Sequence, residues 1–257
     1  MKKLLALALA AFMAITCFAG CGKNNTDTNS SSDNTSKPKL VMGTNASFPP
    51  YEFVDDNNKI VGIDAEIAEL LAEKLGMELQ ITDMKFESLI SAVQGGSIDM
   101  AMAGMTVTEE RLLSVDFTDS YAKGVQVIIV KEGSDIKSPD DLAGKKIGVQ
   151  SGTTGDAYCS EDFGQEYVKQ FDDGSAAVAA LANGQVDCVV IDNEPAKNYV
   201  KANAGLKILD TSYADEDYAI AVKKGNSDLL EKLNKAMAEL KAEGKIDAIV
   251  NKYITTK

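Results

Sequence analysis

Val93-Gln-Gly-Gly-Ser-Ile-Asp-Met-Ala-Met-Ala-Gly104 can be laid over Leu181-Ala-Asn-Gly-Gln-Val-Asp-Cys-Val-Val-Ile-Asp192. Each stretch runs from the end of a helical segment through a glycine-bearing turn and an aspartate into a mostly apolar strand. Strands apolar on successive residues are expected to be covered on both faces. A second echo supports the first: the strand into Thr44-Asn45 is like the strand into Ser151-Gly152-Thr153. The repetition predicts two similar α/β lobes, with Gly104 and Asp192 at equivalent strand ends, one on each. In open parallel sheets ligands sit beyond the carboxyl ends of the strands, so these two ends mark a candidate ligand cleft.

The rest of the chain alternates in the same way. Lys39 to Gly43, Leu79 to Ile81, Ile98 to Ala103, Val125 to Val130, Lys146 to Val149 and Val186 to Ile191 read as strands. Asp64 is placed as the N-cap of a helix with Ile67, Leu70, Leu71 and Leu75 on its apolar face, stopped by Gly76. Phe86 to Gln94 is a further helix. Leu229, Leu230, Leu233, Met237 and Leu240 repeat at helical spacing, and Gly244 ends that helix. This order predicts an α/β fold with largely parallel sheets.

The N-terminus reads as an export signal over residues 1–20. Lys2 and Lys3 precede the apolar run Leu4 to Ala14, which ends in Phe18-Ala19-Gly20-Cys21. Ala-Gly-Cys resembles a lipoprotein signal, in which cleavage leaves Cys21 as the lipidated N-terminus on the outer face of a membrane; Phe18 departs from the usual Leu. Residues 22–38 are almost wholly polar and are expected to be a disordered linker reaching about 20–25 Å. The folded part is expected to begin at Lys39.

Without Lys2 and Lys3 the chain carries 24 basic against 39 acidic side chains, a net charge near −15. That argues against nucleic acid or an anionic membrane surface as partner. Cys159 and Cys188 are the two cysteines of the folded part, with a disulfide or two buried thiols both open. The absence of His removes His-based triads and His-based metal sites, and no phosphate-cradling glycine motif is present. No cofactor or metal is expected.

Arg111 is the lone arginine among 25 lysines. A guanidinium grips a carboxylate through two parallel hydrogen bonds, which an ammonium cannot copy. The residues around it are specific. Thr44-Asn-Ala-Ser-Phe-Pro-Pro-Tyr-Glu-Phe53, Val61-Gly-Ile-Asp64, Phe86, Ala103-Gly-Met-Thr-Val-Thr-Glu-Glu-Arg111 and Asp116-Phe-Thr-Asp-Ser-Tyr121 resemble the amino-acid-binding family of extracellular solute-binding proteins, the receptors of ABC importers. Gln150-Ser-Gly-Thr-Thr-Gly155, Asp192-Asn-Glu-Pro195 and Gly244 to Tyr253 continue the match, so it spans essentially all of 39–257.

The resemblance implies a type II periplasmic-binding-protein fold, with residues 39–123 plus 217–257 as one lobe and 124–216 as the other. It implies that Arg111, with Thr106 and the backbone around it, holds a ligand α-carboxylate, and that Thr154 adds a hydroxyl and helix N-terminal N–H groups. It implies that Asp192 and the Gly104 carbonyl hold the α-ammonium, while Phe48 and Phe86 flank the ligand side chain. Asn45 stands where several relatives carry Asp, and Gln150 where one glutamine-binding relative carries Lys. Ser120 and Ser91 replace prolines of the family pattern, which bears on local stiffness. A neutral Asn45 favours a polar, glutamine-like ligand, because a buried cation needs a paired charge, with a basic amino acid such as arginine or lysine as the other ligand kept open. Glu52 and Glu87 are expected to be solvated, and either would supply the charge for a cationic side chain if turned inward.

The expected activity is capture of an L-amino acid by closure of the lobes about crossings near residues 121–124 and 213–218, then delivery to a membrane permease by a monomer. The alternative carried with it is a family-related dehydratase acting on a small cyclic carboxylic acid.

Overall fold

The computed structural model describes residues 37–254; the leader, Cys21 and the linker through residue 36 lie outside the described residues. The chain opens with β1 (Lys39–Thr44), then β2 (Ser47–Phe48), β3 (Glu52–Val54), β4 (Ile60–Val61), α1 (Ile63–Leu75) and β5 (Glu78–Asp83). After a 3₁₀ turn at Phe86–Ser88 come α2 (Leu89–Gly95), β6 (Met100–Ala101), α3 (Glu109–Leu112) and β7 (Val115–Phe117). β8 (Ala122–Lys131), β9 (Ile147–Gln150), α4 (Thr154–Phe163), β10 (Val168–Phe171), α5 (Gly174–Ala182), β11 (Cys188–Asp192) and α6 (Asn193–Ala202) follow. β12 (Leu206–Tyr218), β13 (Ala221–Lys223), α7 (Ser227–Ala242) and α8 (Lys245–Tyr253) complete the described elements.

Two five-stranded sheets result, ordered β5-β1-β6-β13-β7 and β10-β9-β11-β8-β12, with β2-β3-β4 as a small antiparallel sheet. Three neighbours in each large sheet are parallel, but β13 runs antiparallel to β6, and β8 antiparallel to β11. The sheets are therefore mixed rather than largely parallel. Strands linked by a helical crossover must run parallel, whereas β8 and β13 arrive directly from the other sheet and carry no such constraint.

The internal echo has a shared hydrogen-bond pattern. Gly96 (φ 73°) and Gly184 (φ 72°) both take the left-handed conformation that ends a helix. Their N–H groups bond to Val93 O and Leu181 O, and those of Ser97 and Gln185 to Ala92 O and Ala180 O. The following aspartates then repeat one contact: Asp99 accepts the Val41 N–H at 2.7 Å and Asp187 accepts the Lys146 N–H at 2.8 Å. Each carboxylate fixes the start of the neighbouring strand, which is why the Asp recurs at the same place.

The first sheet's core gathers Met42, Leu71, Met100, Ile220, Leu233 and Leu240, all at 1% exposure or less. The second sheet is covered on both faces, by Val178, Leu181 and Ala196 on one and by Ile136, Leu142 and Cys159 on the other. Full burial of each such aliphatic side chain contributes about 1.5–3 kcal/mol. Cys159 and Cys188 are free buried thiols, and burial pushes Cys159 up to about 12.

Two local expectations change. Gly62, not Asp64, caps α1, because its backbone sits at φ 126° against the Tyr51 carbonyl, where a Cβ would lie 2.2 Å from that oxygen. Asp64 thus falls in the first helical turn with its side chain buried. The segment from Phe86 is a 3₁₀ turn before it becomes a helix at Leu89.

β8 and β12 pair antiparallel as the chain passes between the sheets, with Tyr218 opposite Ala122 and Glu216 opposite Gly124. The Tyr218 ring lies over Gly124, where a Cβ would come within 2.4 Å of it.

Candidate functional site

The carboxyl ends of β1, β6, β9 and β11 open on one cleft. Asn45, Phe48, Phe86, Gly104, Thr106, Arg111, Thr154 and Asp192 all line it. Glu52, Gln126, Gln150, Glu216 and Tyr218 line it as well.

Arg111 is positioned by a single helical turn. Thr108 caps α3 by accepting the Arg111 N–H at 3.1 Å, which folds the side chain back toward the cleft. The guanidinium then donates to Thr106 O at 2.7 Å and, across to the second sheet, to Gly152 O at 3.0 Å. It lies 5.3 Å over the Phe86 ring, a cation–π contact. Burial lowers its pKa, and the Glu216 charge acts against that. A guanidinium stays charged in any protein setting, so the cleft holds a fixed cation.

At the start of α4 the capping role falls to Thr153, whose hydroxyl accepts the Asp156 N–H. That leaves the buried Thr154 hydroxyl without a hydrogen-bond partner among the described residues. The first-turn N–H groups of a helix have no intrahelical acceptor; that of Asp156 is taken by Thr153, while Thr154 lines the same cleft as Arg111. A cation beside a helix start is an arrangement able to hold an anion.

Asp192 sits opposite. It caps α6 through the Glu194 N–H at 3.0 Å, and its other oxygen accepts the Val125 N–H at 2.9 Å and the Tyr218 hydroxyl at 2.6 Å. Burial raises its pKa to about 6, while those three donors favour the charged form. Asp192 is thus a helix cap and a cleft carboxylate at once. Gly104 faces it with φ 53°, and a Cβ there would meet Phe48 at 2.8 Å. Phe48 stacks on Tyr51 with ring centroids 5.7 Å apart.

Asn45 is occupied by its neighbours: it donates to Met84 O and accepts from Ser47 and from Gln150 across the cleft at 2.9 Å. Further contacts join the two sides. Tyr199 donates to Ser47 O at 2.5 Å, Lys85 pairs with Asp172 at 2.8 Å, and Ser151 donates to Glu87 at 2.5 Å.

Two expectations about carboxylates divide. Glu87 is exposed, as expected. Glu52 is fully buried, contrary to the expectation that it is solvated. In the three-residue strand β3 the alternation turns Glu52 inward, while Phe53 packs on Tyr253 at the other face. Glu216 was not singled out, because Ala214-Asp-Glu-Asp-Tyr218 reads as a solvated acidic run. It is buried, with one oxygen bonded to Gln126 at 2.9 Å and the other without a partner among the described residues. Gln126 itself was a readable signal, being the one polar residue in the apolar strand Val125 to Val130.

Comparison with known proteins agrees with this geometry. Residues 40–256 match the family model of bacterial extracellular solute-binding proteins, family 3. The arginine-binding extracellular protein ArtP of Bacillus subtilis is 36% identical, over 99% of each chain. An ancestral arginine-binding protein bound to arginine is 47% identical with TM-score 0.80, covering 85% of this chain and 99% of that one. An ancestral arginine-binding protein bound to glutamine is 46% identical with TM-score 0.82, covering 86% and 99%.

Proposed function

We propose, from the premise that this chain belongs to the bacterial extracellular solute-binding proteins of family 3, that it captures a basic L-amino acid of the arginine type and delivers it to an ABC importer. Membership makes it a binding protein of amino-acid transport and not an enzyme. The dehydratase alternative finds nothing to support it. The cleft is where two lobes meet, taken as 39–123 with 217–257 and as 124–216.

The observation that carries the reading is the charge balance of the cleft. Arg111 with Thr154 and the start of α4 suits an α-carboxylate, and Asp192 with the Gly104 carbonyl suits an α-ammonium. Once the zwitterionic head is matched, Glu216 is a buried carboxylate with one oxygen unpaired among the described residues. Buried charges are paired, so the surplus acid favours a cationic side chain, reversing the preference drawn from neutral Asn45. Phe48 supplies an apolar wall for the stem, and Phe86 supports Arg111 from below. The second reading is glutamine, favoured by the Asn45–Gln150 carboxamide pair at the cleft and by the likeness to the glutamine-bound ancestral protein.

Capture proceeds by rigid-body closure about the β8–β12 crossings. Lipidation of Cys21 tethers the receptor outside the membrane and raises its effective concentration near the permease. Among the described residues no helix is long and apolar enough to cross a membrane. Calorimetry with arginine, lysine, histidine, glutamine and a neutral aliphatic amino acid tests the ligand. Tightest binding of arginine or lysine is expected, and a protein that binds none of the twenty amino acids overturns the reading. Cys21→Ala with the leader intact is expected to release a protein that still binds; a cell-bound fraction equal to wild type overturns the anchor.

A further inference from the structure

Glu52 at the cleft wall and Asp64 behind it form a pair of acids to which ligand capture, as described above, gives no role. Glu52 on β3 and Asp64 on α1 are both at 0% exposure. Asp64 Oδ2 accepts the Gly104 N–H at 2.9 Å and the Tyr121 hydroxyl at 2.7 Å. Asp64 Oδ1 and both Glu52 oxygens meet no donor from any other group among the described residues. The Asp64 N–H donates to Tyr51 O at 2.9 Å, which sets the start of α1 directly against the chain at Glu52 and brings the two buried acids together. Among the described residues neither forms an ion pair with a lysine or arginine.

We propose that Glu52 and Asp64 share a single proton, Glu52 donating to Asp64, and that this neutral-acid–carboxylate pair is a positioning device that fixes the Gly104 peptide at the cleft. Three otherwise stranded oxygens then reduce to one, and Asp64 keeps the charge that Gly104 and Tyr121 solvate. With its N–H held from behind, Gly104 presents its carbonyl on the cleft side in the left-handed conformation that Phe48 packs against. Arg111, which lines the same cleft as Glu52, donates to Thr106 O and Gly152 O instead of to the pair. Asp83 at the end of β5 and Asp192 at the end of β11 are further acids, and Tyr51, Tyr121 and Tyr199 are neutral. Burial first, then the Asp64 charge, raises Glu52 well above the ordinary carboxyl range, while Asp64 rises to about 6.

The sign of the consequence is fixed. An acid that keeps its proton in the folded protein and loses it in the unfolded chain favours unfolding more as pH rises. Asp64 and Asp192 contribute between about pH 4 and 6, and the two thiols only above about pH 7.5, where the unfolded chain begins to lose their protons. The window from about pH 6.5 to 7.5 therefore reads Glu52.

The experiment is urea unfolding of the ligand-free protein across that window, for wild type, Glu52→Gln and Glu52→Ala, with arginine affinity measured at pH 7.5. Wild type is expected to lose about tenfold in its folding equilibrium per pH unit. Glu52→Gln, whose amide makes the same donation at every pH, is expected to be flat and to bind within about threefold of wild type. Glu52→Ala strands the Asp64 oxygen and is expected to bind at least about tenfold more weakly. A wild-type slope retained in Glu52→Gln, or absent from wild type, overturns the shared proton. Loss of affinity in Glu52→Gln as large as in Glu52→Ala overturns the positioning role, since the Glu52 charge would then touch the ligand. The affinity arm rests on the amino-acid-binding reading; the unfolding arm does not, so failure of either is distinguishable.

Discussion

The Tyr218 hydroxyl donates to the Asp192 carboxylate at 2.6 Å, so the strand returning to the first sheet is fastened to the strand end carrying the second sheet's cleft acid. The contact works because Gly124 lies under the Tyr218 ring without a side chain. One carboxylate thereby reports on the crossing, on the helix it caps and on the cleft.

Asp192→Asn is expected to weaken amino-acid binding by about 2–4 kcal/mol, roughly 30- to 1,000-fold, the usual cost of removing one member of a buried charge pair. Tyr218→Phe removes one donor of three and is expected to cost about 0.5–1.5 kcal/mol. Calorimetry on both variants checks the order; equal losses would mean that Asp192 acts only through the hinge.

Affinity is expected to fall with acid. Asp192 titrates at about 6 in the ligand-free protein because burial disfavours its charge. A bound ammonium favours the ionised form and lowers that value, so binding and proton release are linked. The dissociation constant is expected to be flat above about pH 7 and to rise by up to about tenfold per pH unit below 6. Titrations from pH 5 to 8 check this, and Asp192→Asn should lose most of the slope.

The same carboxylate shows what the sequence could and could not disclose. The Asp99 and Asp187 echo was legible because the helix end, glycine turn and aspartate recur as one local unit, even though the N–H that each carboxylate accepts lies on a neighbouring strand, 58 and 41 residues away. Arg111 was legible by its rarity. Glu52 and Glu216 were not, because local polarity says that a glutamate belongs in water, and only the packing of α1, β8 and the opposite sheet around them overrides it. Mixed strand direction was hidden for a related reason: β8 and β13 are set by the path between sheets, which no local pattern records.

Arg111→Lys is expected to reduce affinity by about 100-fold or more, since an ammonium cannot hold Thr106 O and Gly152 O while presenting a planar fork to a carboxylate. The melting temperature of the ligand-free variant should move little. Wild-type affinity in this variant would remove the carboxylate role from Arg111.

Gly104→Ala is expected to cost about 1–2 kcal/mol of stability from its left-handed backbone alone. At roughly 2–4 °C per kcal/mol for a chain of this size, that is a fall of about 2–8 °C in melting temperature. The added methyl also lands 2.8 Å from the Phe48 ring, so weaker binding should accompany the loss. A variant with wild-type affinity would show that Phe48 can shift without harm.

Glu216→Gln decides between the two ligand readings. Glu216 is held by Gln126 through one oxygen, with the other unpaired among the described residues. If the ligand side chain is cationic, removing this charge leaves that cation desolvated and unmatched, and arginine affinity should fall by about 2 kcal/mol or more, roughly 30-fold. Glutamine, with no net side-chain charge, should change far less, and its affinity relative to arginine should rise. The Glu216 field also acts on Arg111, but that contribution is common to every amino acid with a free carboxylate and cancels in the ratio. Equal losses for arginine and glutamine would therefore assign Glu216 to Arg111 and return the preference to a neutral, glutamine-like ligand.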